Sequence, residues 1–239
     1  MRPVKRGAIP QKPNGQPKQY AEYRDAARDL QDRLGDFCSY CERQIETHLA
    51  VEHIRPKKPG GVAHPGRLTD WNNFLLGCVH CNSTKGDTDV NLPDYLWPDT
   101  DNTFVALEYS EGGLVSTGSI DPVLVPKAEA MISLVGLDVD PDNPDRTRRP
   151  SESDMRWDRR RKAWKLATHA KERLRRQDTD DMRDQIVDTA LGRGMFSIWM
   201  KVFEDDQDMR LRLIVAFTGT AADCFDASGL PVPRPGGQC

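Results

Sequence analysis

Four cysteines fall in two pairs, Cys38-Ser39-Tyr40-Cys41 and Cys78-Val79-His80-Cys81, separated by 36 residues. A C-x-x-C turn sets two thiolates on one side of a tight knuckle, and two such turns provide the tetrahedral sulfur set that zinc prefers. A redox or disulfide role is the competing reading, and it suits a lone pair better than two. His80 could replace one cysteine as a ligand, although four thiols already complete a tetrahedron. Between the pairs runs Val51-Glu52-His53-Ile54-Arg55-Pro56-Lys57; Trp71-Asn72-Asn73 precedes the second pair and Asn82-Ser83-Thr84-Lys85-Gly86 follows it. A neutral imidazole, with a reference pKa near ~6.5, can take a proton from water at neutral pH. A carboxylate and an amide oxygen are hard donors of the kind that hold Mg2+.

Placing these groups falls to a small number of elements. From Gln19 to Leu34 the apolar residues Tyr20, Tyr23, Ala27, Leu30 and Leu34 step by three and four, which predicts a helix stopped by Gly35. Ile45–Ile54 reads as a hairpin in which Leu49, Val51 and His53 share a face. Residues 55–66, with three prolines and three glycines, form a loop. Farther on, Pro126 opens a helix burying Ala128, Met131, Ile132 and Val135 and ending at Gly136. Residues 138–154 read as a linker or long loop, with a cap over Ser151–Asp154 for a helix spanning Met155–Arg176. Met209–Phe217 fits helix or strand equally.

In order and spacing, the C-x-Y-C-E start, the E-H-I-x-P-K centre and the N-x-L-L-x-C-x-x-C-N-x-x-K-G end resemble the HNH endonuclease family over residues 37–87. The resemblance implies an α+β fold: a ββα-metal HNH core stapled by a four-cysteine zinc site of Cys38, Cys41, Cys78 and Cys81, flanked by an N-terminal helix and a mainly helical C-terminal region. It implies His53 as general base, and Glu52 and Asn82 as ligands of a catalytic Mg2+ or Mn2+. Asn73 would fasten a loop and orient the histidine; Asn72 adjoins it, so that assignment could slip by one. Arg55, Lys57 and Lys85 are phosphate-contact candidates, with an exposed lysine at a helix end as the plainer reading of Lys85. His48, His64 and His169 stand outside the pattern, and Cys224 and Cys239 read as ordinary thiols. The N-terminal arm, the first helix and the segment from Pro126 to Leu137 further resemble the HNH subunit of Septu-type anti-phage systems, including those attached to retrons. That implies an ABC-type ATPase partner. The chain itself has no G-x-x-x-x-G-K-[ST] and is not expected to hydrolyse ATP.

Composition sets the outer limits. The net charge of −3 conceals a balance of +5 over residues 1–86, −9 over 87–150 and +1 over 151–239. A polyanion meets a local field, so nucleic acid remains a fitting partner for the first block. Ten Lys/Arg against two acids over Met155–Arg176 offer a second basic face, for nucleic acid or for another acidic surface; Trp157 and Trp164 are expected on its buried side. No apolar run reaches the ~18–20 residues of a membrane span, and no apolar stretch follows the five basic residues of the first 18. The cysteine usage suits a reducing cytoplasm. The organisation expected is a basic arm (1–18), a zinc-braced nuclease domain (19–117) and a helical C-terminal domain (118–239). Two alternatives stay open: a zinc-ribbon module that binds nucleic acid or a partner without cutting, and an RNA-cleaving nuclease.

Overall fold

The computed structural model describes residues 1–47 and 49–239; His48, and with it part of the hairpin expected over Ile45–Ile54, lies outside them. Helix α1 (Ala27–Leu34) is entered through a 3-10 turn at Tyr23–Ala26, so it starts later than its apolar spacing predicts. The backbone N–H of Glu22 donates to the Asp25 carboxylate at 3.0 Å, which fixes this entry. Strand β1 (Ala50–His53) follows, then the Pro/Gly-rich loop with a single helical turn, α2 (Pro65–Leu68). Strand β2 (Phe74–Gly77) runs antiparallel to β1, pairing Glu52 with Leu75 and His53 with Phe74. The partner of β1 is therefore β2, and not the segment just before it as the hairpin reading expects. Phe74-Leu75-Leu76 is apolar on both faces and wholly buried, and only a strand inside the core satisfies it. Helix α3 (Val79–Lys85) leaves β2 at once and completes a ββα unit.

The remainder is mainly helical. A turn of helix α4 (Thr103–Ala106) leads into the hairpin of β3 (Leu107–Tyr109) and β4 (Val115–Thr117). Helix α5 (Val125–Val135) buries Ala128, Met131, Ile132 and Val135 as spaced, and ends on Gly136 in the left-handed region. Helix α6 (Arg156–Arg176) begins where expected, but its cap residue is Met155 and no side chain caps it; Asp154 accepts the Arg156 N–H at 3.1 Å. Its buried face also differs. Arg156, Arg160, Ala163, Ala167 and Leu174 turn inward, whereas Trp157 and Trp164 are only half-buried. Helices α7 (Asp180–Arg193), α8 (Phe196–Val202) and α9 (Gln207–Ala216) follow, so the ambiguous 209–217 stretch is helical.

One apolar cluster runs from α1 through the cysteines and β2 to α5 and α6; a second is built by α6 to α9 with Phe37. Residues 1–18 are extended, but two of their cations face inward. Arg2 donates to the Leu34 carbonyl at 2.7 Å, and Arg6 donates to the Phe74 carbonyl and pairs with Asp99 at 3.1 Å. Among the described residues no helix is long and apolar enough to cross a membrane.

The first cysteine knuckle is tied to the α7–α8 turn through buried Glu42. Its carboxylate accepts from the Ser197 N–H (2.7 Å), the Ser197 hydroxyl (2.6 Å) and the Tyr109 hydroxyl (3.2 Å). Gly194 makes this approach possible: it sits at φ +71°, and a Cβ there would stand 2.3 Å from the Glu42 carbonyl oxygen and 2.5 Å from the Gln44 nitrogen. Gly194→Ala should accordingly cost at least ~2 kcal/mol of stability, since it combines backbone strain with a backbone clash. Urea unfolding of the zinc-loaded protein measures this, and an unchanged midpoint would show that the turn relaxes freely.

Candidate active site

The four cysteines are buried, and their sulfur atoms all lie within 4.8 Å of one another. The second knuckle supplies backbone N–H groups to sulfur: Cys78 N–H to Cys38 Sγ at 3.3 Å and Cys81 N–H to Cys78 Sγ at 3.4 Å. Hydrogen bonds from the other three thiols hold Cys78 well below the usual thiol range. Four soft donors gathered this closely, with N–H groups turned toward them, fit a structural zinc ion.

A cationic neighbour completes the cluster. Arg156, at the start of α6, donates from Nη1 to Cys81 Sγ at 3.3 Å and to the Val135 carbonyl at 2.6 Å. Asp154 holds the guanidinium in a fork, at 2.9 Å on Nε and 2.8 Å on Nη2. Burial works against this charge, but the Asp154 carboxylate and the Cys81 and Cys41 sulfurs keep it above its ordinary range. A tetrathiolate zinc centre carries a net charge of about −2, and Arg156 is placed to offset part of it.

On the other side of α3, a cleft of about 790 Å3 is lined by Glu52, His53, Lys57 and Asn82. His53 is buried, with its ring edge-on to Tyr23 at 5.0 Å and to Phe74 at 5.2 Å. Its Nε2 lies 3.1 Å from the Leu68 carbonyl. A carbonyl only accepts, so Nε2 carries the proton and Nδ1 keeps the free lone pair. Burial, aided by the charges of Lys57 and Lys85, lowers the His53 pKa despite that hydrogen bond, which keeps the ring neutral at pH 7.

Asn73 fastens the loop that supplies the Leu68 carbonyl. Its Oδ1 accepts from the Arg55 N–H at 2.8 Å, and its Nδ2 donates to the Arg55 carbonyl (2.9 Å) and the Arg67 carbonyl (3.2 Å). Asn72 is exposed, so the geometry favours Asn73 in this position.

Glu52 and Asn82 converge over Gly77. A Cβ built on that glycine would meet Glu52 Cβ at 3.0 Å and Asn82 Cβ at 3.7 Å, so only glycine leaves room for both. Both residues line the same cleft, and a carboxylate and an amide oxygen are the hard donors that fit a divalent ion.

Two cations expected at phosphate are placed differently. Arg55 lies on a separate hollow beside Asn73, Asp70 and Asp99, away from the His53 cleft. Lys85 belongs to the wall of the His53 cleft but is buried in it. It is 2% exposed, with Nζ 2.9 Å from Glu52 Oε1 and 2.7 Å from the His53 carbonyl. The reason is length: a lysine at the last turn of α3 reaches back to β1, where a buried carboxylate needs a counter-charge. Lys57 does line the cleft, with its ammonium 3.9 Å from the centre of the Tyr23 ring.

Tyr23, Arg24 and Lys58 also line the cleft, and no sequence motif singles them out. The only signal at Tyr23 is one apolar step of the first helix. On the outer face of α6, Arg161 and Lys162 pair with Asp158, and Lys171 and Arg175 with Asp205, so that face is less basic than its composition suggests.

Residues 38–88 match the family model described as HNH endonuclease, a span running from the first cysteine to just beyond α3. No curated protein matches the chain. The match supports a nuclease core acting hydrolytically on nucleic acid. Arg156→Met should weaken zinc retention by ~10–100-fold, as loss of an outer partner of a metal ligand commonly does. Timed release of zinc to a chromogenic chelator reads this directly, and an unaltered release rate would remove Arg156 from the centre.

Proposed function

We propose that the chain is a metal-dependent HNH endonuclease in which His53 activates the water that attacks a phosphodiester. The observation that supports this reading is the His53 hydrogen bond to Leu68, which commits Nε2 as donor and leaves Nδ1 free to act as a base, on a residue that lines one cleft with Glu52 and Asn82. The imidazole accepts the proton of water at Nδ1, while the Leu68 carbonyl stabilises the resulting imidazolium through Nε2. Asn73 acts at a distance by anchoring the 55–68 loop, so the ring keeps its orientation. Lys57 and Lys58, with Arg24, are placed to hold the flanking phosphates. Mg2+ or Mn2+, held by Glu52 and Asn82, would supply charge to the scissile phosphate and its departing oxygen. Zinc on the four cysteines would keep β2 and α3 in register beneath the cleft.

DNA as substrate, a cytoplasmic anti-phage role and an ABC-type ATPase partner are the narrower form of this proposal; they rest on the sequence resemblance to Septu-type subunits. RNA would be cut by the same residues, because they meet only phosphate. One observation favours a non-cutting module instead: Glu52 is already paired with Lys85. That reading requires nucleic-acid binding indifferent to Mg2+.

The test is incubation of the zinc-loaded protein with plasmid DNA and with RNA, in Mg2+ or Mn2+. His53→Ala should lower cleavage of DNA by at least ~100-fold, the usual contribution of a general base. Cleavage at the parent's rate by that variant would overturn the assignment.

A further inference from the structure

Lys85 is among the largest fully buried side chains in the protein, and it spans both residues of β1 on which the cleft depends. Its ammonium approaches Glu52 Oε1 at 2.9 Å and donates to the His53 carbonyl at 2.7 Å. A carboxylate has about four lone-pair sites, so this pairing leaves it capacity for a further partner. The Tyr40 hydroxyl of the first cysteine knuckle also neighbours Glu52, but burial and the nearby carboxylate keep it neutral. Among the described residues, Lys85 is therefore the one full positive charge set against Glu52.

We infer that Lys85 is an internal counter-cation that holds the Glu52 carboxylate in place before a divalent ion arrives, and that it thereby sets a ceiling on the affinity for that ion. The inference rests on the proposed function, because it takes Glu52 as a metal ligand. A buried carboxylate without a counter-charge is strongly disfavoured, so the pair protects the metal-free fold. The same ammonium then repels a second cation at the same carboxylate and draws off part of its charge. A substrate phosphate at the cleft brings negative charge that offsets this repulsion. Metal and nucleic acid should for that reason be bound most tightly together, which restrains the site when no substrate is present. Lys85 is a positioning residue and touches neither substrate nor water.

The experiment is Mn2+ titration of the full-length, zinc-loaded protein, followed by calorimetry and by the electron-spin signal of free Mn2+. Lys85→Met should bind Mn2+ at least ~10-fold more tightly than the parent while melting at a lower temperature without Mn2+. Lys85→Arg, which keeps the charge, should stay close to the parent, and Glu52→Gln should abolish the binding. A residue of merely structural value would weaken Mn2+ binding on removal, which is the opposite sign. Retained zinc checks the fold of each variant. In the parent protein, the Lys85 side-chain nitrogen resonance should also move during a titration with diamagnetic Mg2+, at the midpoint of binding; a resonance that stays fixed overturns the inference even if Lys85→Met fails to fold. Glu52-dependent binding that Lys85→Met leaves equal or weaker overturns the inference and leaves the nuclease reading standing. Absence of Glu52-dependent binding in both parent and Lys85→Met overturns both.

Discussion

Four sulfur atoms within 4.8 Å of one another form the constraint on which the rest of the molecule depends. Buried thiolates repel one another and are disfavoured in apolar surroundings, so such a cluster is stable only with a cation inside it and donors around it. The donors are on hand: the Cys78 and Cys81 backbone N–H groups of the second knuckle and the Arg156 guanidinium. Ser39 then ties the first knuckle to β2, accepting the Leu76 N–H on its hydroxyl and donating its own N–H to the Leu76 carbonyl at 2.8 Å. The strand that carries the sulfur cluster on one end thus carries the partner of Glu52 and His53 along its length. Because α5 and α6 reach the second knuckle through Arg156 and the α7–α8 turn reaches the first through Glu42, the helical region supports the centre directly.

The cleft depends on a second device, a loop made rigid by one amide. Residues 55–68 are rich in proline and glycine and have little regular structure, yet the Leu68 carbonyl must hold an imidazole in one tautomer. Asn73 resolves this with three hydrogen bonds to the two ends of the loop, at Arg55 and Arg67. A single short side chain with two donors and an acceptor can close such a loop; an aspartate in its place would lack the N–H groups that the two carbonyls require. The proposed base is consequently held from three directions: by the carbonyl, by Tyr23 at its edge and by Phe74 beneath it.

Features set by ligand geometry or helical period were legible in the sequence, and those set by distant charge were not. Two C-x-x-C turns specify the metal cluster locally, and the buried positions of α5 follow from a period of 3.6. The ββα order was legible through motif spacing, but the pairing of β1 with β2 was not visible in the residues themselves. Both strands are four residues long, and what selects the partner is the buried position of Phe74-Leu75-Leu76 beside the sulfur cluster. The roles of Arg156 and Arg160 were hidden for a related reason. Arginine on a charged helix reads as a solvated face, yet here Arg160 donates to the Gly113 and Leu137 carbonyls, and Arg156 to sulfur. A cation turns inward only where acceptors left over from other elements await it, and no local pattern reports those. Lys85 shows the same effect at the cleft.

Helix α3 gathers these threads. Seven residues are too few for an isolated helix to persist in water, since nucleation is costly and few bonds offset it. Its ends are held instead by buried charge. Cys78 and Cys81 fix its first turn to the sulfur cluster, and Lys85 fixes its last turn to Glu52 and to the His53 carbonyl on β1. A cation at the C-terminal turn is also favoured by the helix dipole. Asn82 lies between these two anchors, on a backbone that cannot shift without breaking one of them. Its position is set by the residues on either side. The proposed metal ligand is thus ordered in advance, and the sulfur cluster and the buried lysine supply that order from opposite ends of one helix.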